Sequence, residues 1–486
     1  MRTFEAVTLI LGLLAWLWPS QRSSNRQRLA YSAAVLALVI HLFWEGPRWQ
    51  MFPAYLVVIV GVALALWPHR SVDTPTLWPR VLHWTGRSLG VVGLAAAALL
   101  CLLLPVYHLP APTGPYPVGR VTYHWVDGAR PETLTPAADD QRELNLLVWY
   151  PAAPAAQQPL ADYIAAGKSA IAGLARALEF PRFLLDHFAY IRPHARAAAP
   201  LATDGPYPVL LFSHGLGTLP ELDTALLEEL ASHGYVVVGI NHSYISASWA
   251  TGDGHTLVFD PSLVSTQSDD ERNALIALMA VDMRYVLTQL AQLNGKDSSG
   301  RFAGQLDLKR VGVLGHSIGG AAAAEVCRVD PRCQAGMVLD GSLGTQAQQA
   351  ALTMPFMFLR EAVVLTIPDA DLAAAGMTRE DAIREFNKYT GDVAFSHLQN
   401  DGYLLTVKGF AHYNFTDFVL ASPLARQVGM TGPADGLHSV RLVNAYTSAF
   451  FDRYLKQIAS PLLSAPAATY PEVTFQTRQP GTAATR

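Results

Sequence analysis

Three side chains, far apart in this chain, have the types and order needed to break an ester bond. Ser317 lies in Gly315-His316-Ser317-Ile318-Gly319-Gly320, after the apolar stretch Arg310–Leu314 and before an alanine-rich run. Gly-x-Ser-x-Gly between a strand and a helix puts its serine on a sharp elbow, hydroxyl exposed above the sheet. Gly315 and Gly319 stand where the two backbones come too close for a side chain. A serine hydroxyl attacks only when a base takes its proton, and the base needs an orienting acid. On an elbow scaffold the partners follow in the order Ser, Asp or Glu, His. That order reduces fifteen histidines to His397, His412 and His438. His412 follows the apolar stretch Tyr403–Lys408, at the strand end where α/β sheets carry their sites. His397 precedes that stretch, and His438 opens the terminal helix. Asp340 ends the apolar run Ala335–Asp340 before Gly341, whereas Asp330 sits in an Asp-Pro turn. Ser317 is therefore the expected nucleophile, His412 the base and Asp340 the acid.

Acyl transfer also needs backbone N–H donors for the oxyanion. Ile318, next to the nucleophile, supplies one by position. Pro208–Ser213 runs into His214-Gly215-Leu216-Gly217, which nominates the Leu216 N–H as the second. His214, Gly215 and Gly217 would shape that loop. No Gly-Lys-Ser/Thr phosphate loop accompanies it.

The elements that must position these groups alternate. Apolar runs of strand length cover Gly119–Trp125, Leu144–Trp149, Pro208–Ser213, Tyr235–Asn241, Arg310–Gly315, Ala335–Asp340, Phe356–Arg360 and Tyr403–Lys408. Helical patterns cover Leu222–His233, Glu271–Leu293, Gly320–Arg328, Tyr413–Leu420 and Val440–Gln457. Buried strands alternating with helices indicate an α/β fold, mainly parallel, with helices on both faces. The expected organisation is an all-α membrane segment over 1–108, a Pro-rich linker over 109–119, a catalytic domain over 120–470 and a flexible tail over 471–486.

Of 486 residues, 51% are hydrophobic and only 15% charged, and the apolar excess sits at the amino end. Thr3–Trp18, Leu29–Trp44, Met51–Trp67 and Ser88–Tyr107 approach the length that crosses a bilayer core of about 30 Å. About four transmembrane helices are expected. Glu5 and the lack of an Ala-x-Ala site argue against a cleaved signal peptide. Arg22, Arg26 and Arg28 crowd the first loop, and Arg70, Arg80 and Arg87 the third. The positive-inside rule makes both cytoplasmic and sends the chain after Tyr107 outward. A multi-pass protein of a bacterial inner membrane, with its catalytic domain on the extracytoplasmic side, is the expectation. Residues 1–108 carry eight Arg against three acids, or +5; the rest carries 27 basic against 36 acidic, or −9. That negative surface argues against nucleic acid as a partner.

Cys327 and Cys333 flank a short turn without a histidine, which argues against metal. Their spacing leaves open free thiols or, in an exported domain, a disulfide. Leu174–Ile191 carries Phe180, Phe183, Leu184, Leu185, Phe188 and Tyr190. It is either a helix packed on the core or a lid that dips into lipid.

Ser-His-Gly-Leu-Gly (213–217), Ala-Ser-His-Gly-Tyr (231–235), Gly-His-Ser-Ile-Gly-Gly (315–320), Leu-Asp-Gly (339–341) and His-Tyr-Asn-Phe-Thr-Asp-Phe (412–418) together resemble the plasma-type platelet-activating factor acetylhydrolases. These are α/β-hydrolase-fold serine lipases, also grouped among phospholipases A2, and the likeness covers about residues 115–460. The resemblance implies the triad Ser317, Asp340 and His412, the oxyanion donors Leu216 and Ile318, no metal or other cofactor, and cleavage of short or oxidised acyl chains from phospholipids. Ser-Tyr-Ile-Ser-Ala-Ser after Asn241-His242, and Ser342 after Leu-Asp-Gly, depart from the family where a substrate pocket is expected. An ester or phospholipid and the bilayer are thus the expected partners. The alternatives are a general carboxylesterase for small or polymeric esters, an acyltransferase, or a membrane protein whose hydrolase domain only binds ligand.

Overall fold

The computed structural model describes residues 1–18, 25–66, 77–137, 139–154, 157–250, 256–265, 268–363, 369–374 and 376–479. Arg22 and Arg70, two of the charges behind the expected orientation, lie outside them. The chain divides into two compact units. One comprises Met1–Tyr107 with Asp186–Ile191 and Ala421–Leu424; the other comprises His108–Leu185, Arg192–Leu420 and Ala425–Arg486.

In the first unit the apolar runs form α1 (Thr3–Leu17), α2 (Asn25–Ile40, continued as a π-helical turn over His41–Glu45), α3 (Phe52–Leu66) and α4 (Leu77–Leu103). Small and flexible residues make the interior, among them Ala54, Ala97, Met51 and Cys101. Phe43, Trp44, Phe52, Ile59 and Leu64 point outward, Phe43 and Trp44 more than 80% exposed. Gln27–Glu45, Trp49–Leu66 and Trp84–Leu103 have the length and composition to cross a membrane. Thr3–Leu17, with 15 residues, is shorter. Glu5 is buried and meets the guanidinium groups of Arg2 and Arg48, each at 2.9 Å.

The second unit is built on a ten-stranded sheet. Its strands are β1 (Val118–Pro131), β2 (Gln141–Pro151), β3 (Arg196–Ala197), β4 (Tyr207–Ser213), β5 (Val236–His242), β8 (Leu306–His316), β9 (Cys333–Leu339), β10 (Phe356–Glu361), β11 (Gly402–Val407) and β12 (Val473–Arg478), with a separate hairpin of β6 (Ser248–Ala250) and β7 (Thr256–Val258). The order is β12-β11-β10-β9-β8-β4-β5-β2-β1-β3. From β5 through β11 neighbours run parallel, while β2 pairs antiparallel with β5 and β12 with β11. Apolar side chains cover both faces in two core layers, which is why the central strands read as unbroken hydrophobic runs. The chain leaves β4 toward β5 and returns on β4's other side as β8. That reversal opens a crevice at the strands' carboxyl ends. Register brings Ser213 opposite Gly315, and His316 opposite Leu339.

The helix Asp269–Gly295 is also long and apolar. Here Leu275, Met279, Met283, Val286 and Leu290, spaced as one helical face, are buried in the core. Cys327 and Cys333 form a disulfide.

Three local expectations change. Val473–Arg478, expected to fray, is the edge strand β12 on β11; its backbone hydrogen bonds repay the ordering that a Thr-rich composition did not advertise. Residues 480–486 of that tail lie outside the described residues. Tyr413–Leu420 is no α-helix but two three-ten turns, His412–Phe415 and Asp417–Leu420. The stretch Leu174–Ile191 is not one helix either: Gly167–Ala177 is α-helical and Arg182–Tyr190 is three-ten. Leu185 and Phe188 are buried, leaving Phe183 as the exposed ring.

Candidate active site

Ser317 caps the step from β8 into the helix Ile318–Val329 with φ +56° and ψ −127°. A non-glycine residue holds such a conformation at a cost of about 1–3 kcal/mol. Surrounding bonds over-determine it. The Ser317 N–H donates to Leu339 O at 2.9 Å, and its carbonyl accepts from the N–H groups of Gly320 and Ala321. A Cβ on Gly319 would stand 2.2 Å from the Ser213 carbonyl oxygen, and one on Gly315 2.4 Å from Gly319. The two glycines thus let the elbow press against the end of β4.

Asp340 follows β9 with φ +46°. Its backbone N–H donates to Leu359 O at 2.8 Å. Its carboxylate is divided: Oδ1 accepts from the Glu361 N–H at 2.9 Å, and Oδ2 lies 2.6 Å from His412 Nδ1. The His412 ring lies tilted against His316, the residue before Ser317, with centroids 4.6 Å apart. The His412 carbonyl accepts from His316 Nε2 at 3.0 Å.

The turn carrying His412 is held from below. Asn414 Oδ1 accepts from the Ala411 and Gly432 N–H groups, and its Nδ2 donates to Ser439 Oγ at 3.1 Å. Asp417, buried, accepts from the Ala225 N–H at the start of the helix Thr224–Ser232 and from the Tyr163 hydroxyl. Burial pushes its carboxyl well above the usual range.

Burial works against a charged His412. The hydrogen bond and charge of Asp340, with a further contribution from Glu361, outweigh it and lift His412 above the ordinary histidine value. Burial and the charge of Asp340 push Glu361 up to about 7, with His412 opposing. His316 is driven the other way, first by burial and then by the His412 charge, and stays neutral.

Among the sequence-predicted groups, Asp340 and His412 are joined by a direct bond, and the His412 ring adjoins the elbow of Ser317. The loop of His214, Gly215, Leu216 and Gly217 leaves β4 beside it. A Cβ on Gly215 would sit 3.3 Å from the Ser317 Cβ. The Leu216 and Ile318 N–H groups have no acceptor among the described residues. His397 closes a short helix before β11, and His438 pairs with Glu472, so neither joins the site. Sequence reasoning missed Glu361 and His316. Glu361 directly follows the predicted strand Phe356–Arg360 at its carboxyl end, which was the available signal. His316 acquires its place only through contacts with His412 across the fold.

The family model described as platelet-activating factor acetylhydrolase, isoform II, matches residues 104–459. A platelet-activating factor acetylhydrolase of Cavia porcellus is 25% identical over 287 residues, 54% of this chain and 61% of that protein. One of Canis lupus familiaris is 25% identical over 58% of this chain and 66% of its own length. A probable 1-alkyl-2-acetylglycerophosphocholine esterase of Arthroderma benhamiae is 22% identical over 55% of this chain and 66% of its own. The chain thus spans under two thirds of each of these relatives. The solved structure of a ferulic acid esterase from Streptomyces cinnamoneus superposes with a TM-score of 0.60 at 30% identity, covering 76% of this chain and 99% of that one.

Proposed function

This chain belongs to the platelet-activating factor acetylhydrolase isoform II family, and from that premise we propose that it is a serine ester hydrolase acting on acyl esters of lipids. Ser317 is the nucleophile, His412 the general base and Asp340 the residue that orients and charges the imidazole. His412 Nε2 takes the Ser317 proton as Oγ bonds to the ester carbonyl carbon. The carbonyl oxygen becomes an oxyanion held by the Leu216 and Ile318 N–H groups. Collapse breaks the ester bond, and the alcohol leaves with the proton carried by His412. Water, deprotonated by the same imidazole, then releases the acyl group and regenerates Ser317.

The observation that carries this reading is the 2.6 Å contact of His412 with Asp340 at the sheet edge that also presents the Ser317 elbow. Outward-facing Phe43, Trp44 and Ile59 on helices long enough to span support a bilayer anchor and hence lipid esters. Arg26 and Arg28 at the start of α2, with Arg80 and Arg87 in the first half of α4, support an outward-facing hydrolase unit.

A second reading, a carboxylesterase for small or polymeric esters, draws on the likeness to the Streptomyces esterase at 30% identity. The test uses the full chain in detergent or vesicles, with Ser317→Ala as control. Fluorophosphonate should label the wild type at Ser317 and leave the variant unlabelled. Turnover of short-acyl glycerophosphocholines well above nitrophenyl or feruloyl esters supports the lipid reading; the reverse order supports the second. An unlabelled, inactive wild type would reject both.

A further inference from the structure

A buried polar chain that the acyl-transfer steps do not use runs from β2 and the helix Asp269–Gly295 to the carboxyl ends of β5 and β4. Arg142 grips Asp282 with two bonds, Nε to Oδ1 at 3.1 Å and Nη2 to Oδ2 at 2.6 Å. Asp282 Oδ2 lies 2.8 Å from His242 Nδ1, and His242 Nε2 lies 3.0 Å from Ser213 Oγ. The His242 backbone N–H donates to His214 Nε2 at 3.3 Å, and His214 Nδ1 lies 2.7 Å from the Gly215 carbonyl oxygen. Arg142, Asp282, His242, Ser213 and His214 are each no more than 1% exposed.

Obligate donors settle the ambiguous rings. A guanidinium only donates, so Asp282 accepts and His242 carries its proton on Nδ1. His242 Nε2 is then an acceptor, and the Ser213 hydroxyl must donate to it. A backbone N–H can only donate, so His214 Nε2 is also an acceptor and its proton sits on Nδ1, aimed at the Gly215 carbonyl. Burial lowers His214 to about 3, so the ring keeps this neutral form.

The same Gly215 carbonyl receives two further donors, the Thr218 hydroxyl at 2.8 Å and the Thr218 N–H at 3.1 Å. The loop beyond is tied to its neighbour, since the Gly217 N–H donates to Ile245 O and the Ala247 N–H to Thr218 O, both at 2.9 Å. A trans peptide is planar, with its C=O and N–H pointing in opposite directions. Three donors on the oxygen of the Gly215–Leu216 peptide therefore fix where the Leu216 N–H points. They also polarise that peptide, which strengthens its N–H as a donor.

We propose that His214 and Thr218 clamp the Gly215 carbonyl as positioning residues for the Leu216 oxyanion donor, with the His242 backbone N–H holding His214 in the required tautomer. This rests on the hydrolase reading above. Its energetic logic is preorganisation: a donor already aimed at the developing oxyanion needs no rearrangement when charge appears.

The test compares full-length wild type with Thr218→Val and Thr218→Ser. Thr218→Val keeps the side-chain shape but removes the hydroxyl donor; Thr218→Ser restores it. Loss of a whole oxyanion donor costs about 10²–10³ in kcat, so loosening one by removing a third of its clamp is expected to cost about tenfold. KM for nitrophenyl acetate should stay within about twofold, because the ground-state carbonyl leans little on the hole. Affinity for a trifluoromethyl ketone, whose serine adduct carries an oxyanion, should fall by a similar factor, and Thr218→Ser should recover both. Thr218→Ala gives the same comparison should the valine variant unfold. The clamp is overturned if the hydroxyl-less variant keeps kcat and ketone affinity within twofold of wild type, or if serine fails to restore them. A wild type without esterase activity or fluorophosphonate labelling would overturn the clamp together with the functional reading.

Discussion

Asp340→Asn tests the site at its most constrained atom pair. One carboxylate oxygen accepts from the Glu361 N–H at 2.9 Å, and the other faces His412 Nδ1 at 2.6 Å. An asparagine has one oxygen and one NH₂, and a backbone N–H will accept only the oxygen as partner. The NH₂ must then face His412 and donate to Nδ1. That forces the imidazole proton onto Nε2, the atom that should receive the Ser317 proton. The expected loss is that of a wrong tautomer, about 10⁴ in kcat, equivalent to about 5.5 kcal/mol of transition-state stabilisation. The pH dependence should change as well. His412 is lifted above the ordinary histidine value chiefly because Asp340 outweighs burial. Without that charge, the acid limb of kcat/KM should move to lower pH. Stopped-flow or steady-state hydrolysis of nitrophenyl acetate between pH 5 and 9 measures both effects, with Ser317→Ala as the floor and melting temperature as the folding control. A folded Asp340→Asn protein within tenfold of wild type, with its acid limb unmoved, would refute the reasoning.

Glu361 is held near 7 by burial and by Asp340, against an ordinary value of 4.5. A carboxyl raised in this way contributes stability below about 4.5 that is lost as pH rises through 7. Glu361→Gln should therefore raise the melting temperature more at pH 8 than at pH 5, and shift the acid limb of activity down as His412 loses a neighbouring anion. Replacing Cys327 and Cys333 together with serine opens a loop of sequence separation 6; chain entropy predicts a loss of about 2 kcal/mol by denaturant titration. Asp417→Ala strips the acceptor from the Ala225 N–H and the Tyr163 hydroxyl beneath the His412 turn. It should cost about 1–3 kcal/mol of stability, and kcat should fall more than KM rises as the imidazole loses its footing.

The central strands, the elbow and the pairing of Asp340 with His412 were legible because each rests on a local rule. Buried parallel strands demand unbroken apolar runs, as in Val236–Ile240. A strand-to-helix turn this tight demands glycine on both sides of Ser317. Chain order then left three histidines, and the position just after the strand Tyr403–Lys408 singled out His412. Apolar length at the amino end likewise needed no fold to be seen, although the helix Asp269–Gly295 shows that an equally apolar stretch can belong to a folded core.

What the tertiary structure decided depends on partners distant in the chain. Val473–Arg478 is a strand because β11 offers an open edge, a fact no property of a Thr- and Gln-containing tail encodes. Glu361 matters because β9 and β10 lie side by side and bring its N–H to Asp340. His214 acquires its tautomer from the backbone N–H of His242 at the end of β5, and the His242 ring acquires its own from Asp282 on the helix beyond. Local sequence carries the propensities and the reactive groups. Which proton sits on which nitrogen depends on donors and acceptors that meet only when the sheet is assembled.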